Sequence, residues 1–332
     1  MSQSSSSPYR SLFWPILLIG VGIMWTLSNL GVILPANLNL LLRLWPLALI
    51  VIGLDILFGR RSTLLSAIYG LAVVAVIILV LVMGPALGLP PAPTATTDTF
   101  REPIGATTSA SITLDLSSEH TTVKALTGSN DLINATIRHL GAVDFKVSGS
   151  QKKTINLSEI TSATDWFAIP AVFEELNWDI GLTPALPIDL TVGGGSGRGE
   201  LNLSGLLLAS LKANVGSGAF KIHLPSFPNG YNASLNGGSG SLDLFLPSAT
   251  ELSVHLEGGS GSINITVPPD AAVRIEVLNG GSGSVSIPNS FMRVSGSADQ
   301  KEGAWETAGY PQAGHKILIQ VVDLGSGSFP LY

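Results

Sequence analysis

The first 90 residues are dominated by apolar side chains that form long uninterrupted stretches. Charged residues are absent from three of these stretches, at positions 11–42, 44–54 and 62–97. A helix that crosses a membrane needs about 20 consecutive apolar residues. The pattern therefore predicts three membrane-spanning helices, near 12–34, 39–59 and 63–88. Together they form a predicted transmembrane region of residues 11–89, which follows a short tail of residues 1–10.

The few basic residues in this region predict its orientation. Arg10, Arg60 and Arg61 fall on one side of the predicted helices, and Arg43 falls on the other. Because basic residues are retained in the cytoplasm, the tail is expected there. Three crossings then place everything after the helices outside the cell. We therefore expect a multi-pass plasma-membrane protein with an extracytoplasmic C-terminal domain and the lipid bilayer as its first partner.

Beyond the apolar region the pattern changes from continuous to alternating. Residues 90–105 are rich in Pro and Thr, which is typical of an extended linker. Residues 106–192 contain short alternating runs, such as SASITLDL and KKTINLSEI, separated by Gly, Ser and Asn. Such runs are typical of β-strands. We predict an N-terminal β region over residues 106–192.

From residue 193 to residue 332 a repeat takes over. The central serine of a Gly-Ser-Gly sequence recurs at Ser196, Ser217, Ser239, Ser260, Ser282 and Ser326. The intervals are 21, 22, 21, 22 and 44 residues, so the last spans two periods. A fixed period of this length is typical of a solenoid. The predicted fold class is an α-helical membrane anchor plus an all-β domain, a β-helix of about 21–22 residues per coil.

Apolar residues keep a fixed position in each copy. Three places after the serine lie Phe220, Leu242 and Ile263, and two places further on lie Ile222, Leu244 and Ile265. Polar residues occupy most of the places between them, which is the period of a strand with one buried face. Stacked coils would align these residues in inward ladders. A β-sandwich of hairpins is the alternative architecture, but it gives no reason for residue-by-residue agreement between copies.

The repeated glycines do not match the motifs that carry chemistry. A calcium-binding β-roll needs Asp at the sixth place of its repeat, where this chain has Leu242. A phosphate-binding loop needs Gly followed by Lys, a pair that the chain lacks. A nucleophile elbow needs Gly two places after the serine, where the copies have Arg, Ala or Ser. The glycines are therefore predicted to be structural corners, because Gly reaches positive φ and allows close backbone approach. They are Gly195, Gly197, Gly216, Gly218, Gly238, Gly240, Gly259, Gly261, Gly281, Gly283, Gly325 and Gly327.

The composition of the chain argues against several classes of function. Only 12% of the residues are charged and the net charge is −6, which argues against a nucleic-acid partner. The chain has no cysteine, so it forms neither disulfides nor thiolate metal sites. Its five histidines share no position in the repeat. We expect a protein that is not an enzyme and that uses no cofactor or metal.

The chain resembles a known family at several places. FWPILLIGVGIMWTLSNLGVI, followed by LRLWPLALIVIGLDILFG, resembles the LiaI/LiaF-like transmembrane region of bacterial envelope proteins. The runs ASITLDLSSEHTTVKALTGSNDLINATI and LNWDIGLTPALPIDLTVGGGSGRGELNLSG, with the later GGSGS copies, resemble the toast-rack β-solenoid domain of LiaF-like and adhesin proteins. The resemblance implies a bacterial plasma-membrane location and a non-enzymatic role. LiaF-like proteins restrain a membrane sensor kinase until the cell wall is stressed.

These arguments lead to an expected role in sensing or regulating cell-envelope stress, or in scaffolding the envelope. The expected partner is a membrane sensor kinase or a cell-wall component. The alternative is a surface adhesin or glycan-binding module, which needs exposed aromatic side chains. Trp166, Trp178 and Trp305 lie outside the ladder positions, and their clustering on one face would favour that alternative. Residues 289–316 lose the repeat and are expected to form an excursion or an irregular coil before the last rung.

Overall fold

The computed structural model describes residues 13–30, 49–50, 53, 63–83, 95–116, 120–160, 176–227, 229–297 and 300–332. The predicted tail of residues 1–10 and nearly all of the predicted helix near 39–59 lie outside these described residues. The chain divides into two compact units, and one of them consists of Ala95–Ile160 and Glu175–Tyr332. All of the strands lie in that unit.

Among the described residues of the other unit, two helices have defined bounds. They are α1 (Phe13–Asn29) and α2 (Thr63–Met83). The two helices pack closely at Gly20, where an added Cβ atom would lie 2.7 Å from a methyl carbon of Val74. A small residue at this point lets the helix backbones approach each other.

The prediction of three membrane-spanning helices is wrong. Within the described part of the chain, no helix combines the length and the apolar character that a membrane crossing requires. Helix α1 stops at Asn29, short of the predicted end at residue 34. Its 17 residues span only about 25 Å, against roughly 30 Å of hydrocarbon core. Helix α2 is described over Thr63–Met83, within the predicted range 63–88. At α1, the lack of charge marked an apolar stretch but overestimated the length of the helix.

The described residues of the second unit form 21 strands. In chain order they are β1 (Thr96–Pro103), β2 (Ser109–Asp115), β3 (His120–Ala125), β4 (Asp131–His139), β5 (Ala142–Ser148), β6 (Lys152–Ile160), β7 (Asn177–Leu182), β8 (Ile188–Gly193), β9 (Arg198–Asn202), β10 (Leu208–Asn214), β11 (Ala219–His223), β12 (Tyr231–Asn236), β13 (Ser241–Phe245), β14 (Leu252–Gly259), β15 (Ser262–Thr266), β16 (Val273–Val277), β17 (Ser284–Ser286), β18 (Phe291–Ser295), β19 (Gly303–Thr307), β20 (Ile317–Gly325) and β21 (Ser328–Pro330). A short 3-10 helix, Tyr310–Gln312, precedes β20.

The strands form two facing sheets, which we call sheet A and sheet B. Sheet A has 10 strands in the order β1-β4-β7-β3-β9-β11-β13-β15-β21-β17, and sheet B has 11 in the order β18-β19-β16-β20-β14-β12-β10-β8-β2-β6-β5. Between β6 and β16 in sheet B, and between β7 and β17 in sheet A, every pairing is parallel. Each coil consists of one strand from each sheet. The predicted all-β domain is confirmed as a parallel β-helix.

The order of the coils in space differs from their order in the chain. The last coil, β20–β21, does not stack on the end but lies between β14–β15 and β16–β17. The 44-residue interval before Ser326 therefore contains the antiparallel hairpin β18–β19 instead of a second coil. At the opposite end, β6–β7 likewise lies between β2–β3 and the antiparallel strands β4 and β5.

The core consists of aligned apolar ladders that both sheets contribute. In sheet B one ladder contains, in spatial order, Ile155, Ile112, Leu190, Leu211, Ala233, Val254, Ile319 and Ile275. In sheet A a matching ladder contains Ile180, Val123, Leu201, Ile222, Leu244, Ile265 and Leu331. All of these side chains are buried. Burying one such side chain contributes roughly 1.5–3 kcal/mol, so the ladders dominate the stability of the fold.

Antiparallel strands close both ends of the stack. At one end β1 pairs with β4, and β5 pairs with β6. Strand β1 lies within the segment predicted as a linker, residues 90–105. A largely buried ion pair joins β1 to β6 of sheet B, with Lys153 Nζ 2.5 Å from Glu102 Oε1. The same Nζ also donates to the Pro103 carbonyl oxygen at 2.7 Å. At the other end the hairpin β18–β19 pairs with β16.

Candidate functional site

The glycines predicted as corners all lie where a sheet B strand turns into a sheet A strand. Gly216 and Gly218, for example, lie between β10 and β11, and Gly238 and Gly240 lie between β12 and β13. The strand pairings stack six such turns directly on one another. We call this column of turns the glycine corner. It is the most regular feature of the molecule, and the sequence singles it out as the candidate site.

In five of the six turns the second glycine leaves no space for a side chain. A Cβ atom on Gly240 would lie 1.9 Å from the carbonyl oxygen of Gly218, and one on Gly261 would lie 1.8 Å from that of Gly240. Gly218, Gly283 and Gly327 would each place a Cβ within 2.2 Å of the carbonyl oxygen in the neighbouring turn. Real Cβ atoms do not approach backbone oxygen this closely, so only glycine fits at this place in the stack.

The first glycine of the turn falls into two classes. Gly216, Gly238, Gly281 and Gly325 have φ between 52° and 67°, the left-handed region that favours glycine. Gly195 and Gly259 are not among the positive-φ residues. The residues that flank these six glycines are nearly the same. A difference at one nearby position must therefore account for the two classes of φ.

The residue two places before the glycine makes the difference. In the positive-φ turns this residue is Asn or Asp, and its side-chain oxygen accepts the N–H of the glycine, at 3.1 Å for Asn214, 3.0 Å for Asn236 and Asn279, and 2.9 Å for Asp323. This is an Asx turn, in which the side chain stands in for a backbone acceptor. The turns without it have Gly193 and Glu257 at that place. Sequence reasoning missed these residues, although an Asx-x-Gly spacing at constant register would have revealed them.

Backbone hydrogen bonds run from each turn to the next. The carbonyl oxygen of Gly216 accepts the N–H of Ser239 at 2.9 Å, and that of Gly238 accepts the N–H of Ser260 at 3.1 Å. The second glycines do the same, as where Ser241 N–H donates to Gly218 at 2.9 Å. The serine main chain thus holds successive turns together, and the serines line a shallow groove along the column.

The last turn of the stack has no further coil above it. There the side chain of Lys301 takes the place of backbone donors, since its Nζ donates to the carbonyl oxygens of Gly283 and Gly281. The neighbouring carboxylate, Glu302 Oε1, accepts the N–H of Gly280 at 3.0 Å. This hydrogen bond lowers the pKa of Glu302 below its ordinary value, because it stabilises the charged form. Lys301 and Glu302, which we call the corner cap, hydrogen-bond to the backbone groups of the last turn of the glycine corner.

The histidines lie away from the glycine corner and apart from one another. His139 on β4 is buried, with Nδ1 2.7 Å from the Gly141 carbonyl oxygen and Nε2 3.0 Å from Asp98 Oδ2. His223 on β11 stacks on Phe245, with 4.2 Å between the ring centroids. Both rings are thus engaged in packing or strand-to-strand contacts. Within the described ranges, no group of three or more His, Cys, Asp or Glu side chains is placed to hold a metal ion.

The tryptophans do not form an exposed face in the described structure. Trp178 is 1% exposed and lies in the core, whereas Trp166 lies outside the described residues. Trp305, on the end hairpin, is partly buried beneath the guanidinium of Arg293, which lies 4.6 Å from its ring centroid. The aromatic cluster that would favour a glycan-binding surface is therefore not formed by Trp178 and Trp305.

Comparison with known proteins identifies two segments of the chain. Residues 12–57 match the family described as the LiaI-LiaF-like transmembrane region, and residues 94–245 match the family described as the N-terminal domain of toast_rack. The two segments occur in the predicted order, so the predicted resemblance is confirmed. The first match indicates association with a membrane. No curated protein matches the chain.

Two crystal structures resemble the β-helix at low sequence identity. One is a "putative cell adhesion protein" from Clostridium sporogenes, which is 15% identical, with a TM-score of 0.47, coverage of 72% of this chain and 99% of the other. The second is a "putative adhesin" from Bacteroides fragilis, which is 13% identical, with a TM-score of 0.31, coverage of 73% of this chain and 100% of the other. Likeness at this level gives no information about what this chain binds.

Proposed function

Because the chain carries a LiaI-LiaF-like transmembrane region followed by a toast-rack domain, we propose that it is a membrane-anchored, non-enzymatic protein that regulates the response to cell-envelope stress. In this role the β-helix is a rigid scaffold on the outer side of the plasma membrane. Its partner would be a membrane sensor kinase or a cell-wall component. The order of the two matched segments is the observation that carries the proposal.

The structure of the glycine corner supports a non-enzymatic role. The Gly-Ser-Gly turns pair with one another through the backbone, and their glycines pack against neighbouring carbonyl groups. The burial of Trp178 supports a regulatory role over a glycan-binding one, since aromatic faces that recognise sugars must be exposed.

The absence of cysteine from the chain allows a direct test of location. A single cysteine is introduced at Ser260, which is exposed on the glycine corner, and intact cells are treated with a membrane-impermeant maleimide. We expect labelling of Ser260→Cys without permeabilisation. A cysteine at Ser5, in the predicted cytoplasmic tail, is the matched control and should react only after permeabilisation. The reverse pattern would overturn the proposed location.

The regulatory role is tested separately. Cells with the full chain and cells with a chain lacking residues 95–332 are exposed to a cell-wall antibiotic, and transcription of stress genes is measured. We expect the truncated chain to change the threshold at which these genes respond. Equal responses in the two strains, together with unchanged transcription in unstressed cells, would contradict the regulatory role.

A further inference from the structure

An asparagine followed by a glycine is prone to lose its side-chain amide, because glycine lets its own backbone nitrogen approach the asparagine side chain. The chain contains this pair three times, at residues 229–230, 236–237 and 279–280. In the reaction the glycine nitrogen attacks Cγ of the asparagine and closes a cyclic imide. The N–H proton passes to a base and then to the departing amide nitrogen, which leaves as ammonia. Water opens the ring to aspartate or isoaspartate.

Two contacts in a folded protein favour this reaction. A donor that is bonded to the asparagine Oδ1 stabilises the negative charge that develops on this oxygen during the attack. A base within hydrogen-bond reach of the glycine N–H takes up its proton. The three pairs can therefore be compared by the partners of these two groups.

Asn279 has both contacts. Its Oδ1 accepts the N–H of Gly281 at 3.0 Å, which is the Asx turn described above. The N–H of Gly280 donates to a carboxylate, with Glu302 Oε1 also at 3.0 Å. The lowered pKa of Glu302 keeps this carboxylate ionised at neutral pH, so it is free to accept the proton. Asn279 is exposed, and water thus reaches the ring that forms.

In the other two pairs the glycine N–H donates to a main-chain carbonyl oxygen. Asn236 makes the same Asx turn, but the N–H of Gly237 donates to the Glu257 carbonyl oxygen at 2.8 Å. The Glu257 carboxylate binds the amide nitrogen of Asn236 instead, at 3.3 Å. The N–H of Gly230 donates to the Phe227 carbonyl oxygen at 3.1 Å. A peptide carbonyl accepts hydrogen bonds but does not take up a proton at neutral pH.

We propose that Asn279 is a site of spontaneous deamidation, with Glu302 as the general base and the Gly281 N–H as the donor that stabilises the intermediate. The nucleophile is the nitrogen of Gly280, the leaving group is ammonia, and water is the one co-reactant. The reaction needs no partner and no membrane. The proposal is therefore independent of the regulatory role.

The neighbouring coil shows what the turn does with the aspartate product. There Asp323 occupies the equivalent place, and its Oδ1 accepts the N–H of Gly325 at 2.9 Å. An aspartate at position 279 thus retains the Asx turn. The isoaspartate product lengthens the backbone by a methylene group and loosens the last turn. Either product adds a negative charge beside the corner cap, so the end of the glycine corner changes with the age of the molecule.

The rates at two asparagines test the proposal. The purified full chain is incubated in detergent, in water labelled with a heavy oxygen isotope, and tandem mass spectrometry locates the incorporated label. Residues 236–241 and 279–284 have the same sequence, so a difference in rate reports their surroundings. We expect deamidation at Asn279 to be at least about ten-fold faster than at Asn236, because a carboxylate accepts the glycine N–H there. Equal rates would overturn the proposal.

The variant Glu302→Gln separates a base from a purely structural residue. It retains an acceptor for the Gly280 N–H but cannot take up the proton, so deamidation at Asn279 should slow at least about ten-fold. A structural role predicts the opposite, because a loosened turn speeds the attack. Glu257→Gln, which alters the carboxylate beside Asn236, is the matched control and should leave the rate at Asn279 unchanged. An equal or faster rate at Asn279 in Glu302→Gln would show that Glu302 is not the base.

Discussion

The hexapeptide Asn-Gly-Gly-Ser-Gly-Ser occurs at residues 236–241 and again at 279–284, in two different surroundings. The first copy is an interior turn, with another glycine turn packed on either side. The second copy ends the stack, and its outer side meets Lys301 and Glu302. Identical residues thus make the same turn in both places. The column ends at the second copy because Lys301 and Glu302, which lie outside the repeat, bind the outer side of that turn.

The largest expected effect comes from filling the space between interior turns. Gly240→Ala should lower the free energy of unfolding by about 3 kcal/mol, because the new Cβ would lie 1.9 Å from the Gly218 carbonyl oxygen. Thermal unfolding of the full chain in detergent, followed by circular dichroism, measures this. Gly314→Ala is the control, since no atom lies within 4 Å of its added Cβ. Equal melting temperatures for the two variants would contradict close packing at the corner.

The Asx turns allow the two copies to be compared residue for residue. Asn236→Ala removes the hydrogen bond to Gly238 and also one from Asn236 Nδ2 to Glu257 Oε2 at 3.3 Å. Asn279→Ala removes the bond to Gly281. We expect losses of about 1.5 and 1 kcal/mol respectively. Denaturant unfolding of both variants measures the difference, and a larger loss for Asn279→Ala would show that the interior turn is not the better supported one.

Removal of the corner cap should affect only the last turn. Lys301→Met keeps most of the aliphatic stem but deletes the donor, and should cost about 1 kcal/mol. Hydrogen exchange measured by mass spectrometry should speed up in residues 279–284 and remain unchanged in 236–241. Lys212→Met, at an exposed position of β10, is the matched control. Faster exchange in both copies would mean that the cap stabilises the whole column.

The smallest expected effect is a pH dependence at the same place. The folded pKa of Glu302 is lowered, so its contribution to stability is present above the unfolded pKa of about 4.3 and is lost as the pH falls through the folded value. Glu302→Gln should therefore melt below the unaltered chain at neutral pH and approach it in acid. Melting curves over that range provide the measurement. A constant difference between the two proteins would rule out the charged form of Glu302 as the stabilising one.

Most of the repeat could be predicted from the sequence. The positions of Leu244, Ile265 and the corner glycines are set by local rules, namely alternation along a strand and the need for a tight turn. The stacking order could not be predicted in the same way. Every coil presents the same apolar ladder, so the pattern does not specify which coil lies beside which. The hairpin β18–β19 and its connection to β20 place the last coil inside the stack.

Two other features, the residues that fix the φ of the first glycine and the length of the N-terminal helix, could not be predicted from the hydrophobic pattern. The residues that fix the φ of the first glycine, such as Asn236, lie at the strand end and look like ordinary polar outward residues. In the N-terminal region, an uncharged stretch gave no measure of helix length, and α1 ends at Asn29. Charge and hydropathy report the surroundings that a segment tolerates. They do not report where its backbone hydrogen bonds stop.

The position of β20–β21 has a consequence for synthesis on the ribosome. Strands β14 and β16 emerge first, and both present parallel edges that match the same partner, because Val254 and Ile275 occupy the same ladder on either side of Ile319. The gap between them cannot be filled until β20 and β21, within Ile317–Tyr332, have been made. A chain that stops before Ile317 would therefore lack an internal layer, next to the outermost coil β16–β17, instead of an outer one. Quality-control proteases would then find two unpaired edges inside the stack, where the finished protein shows none.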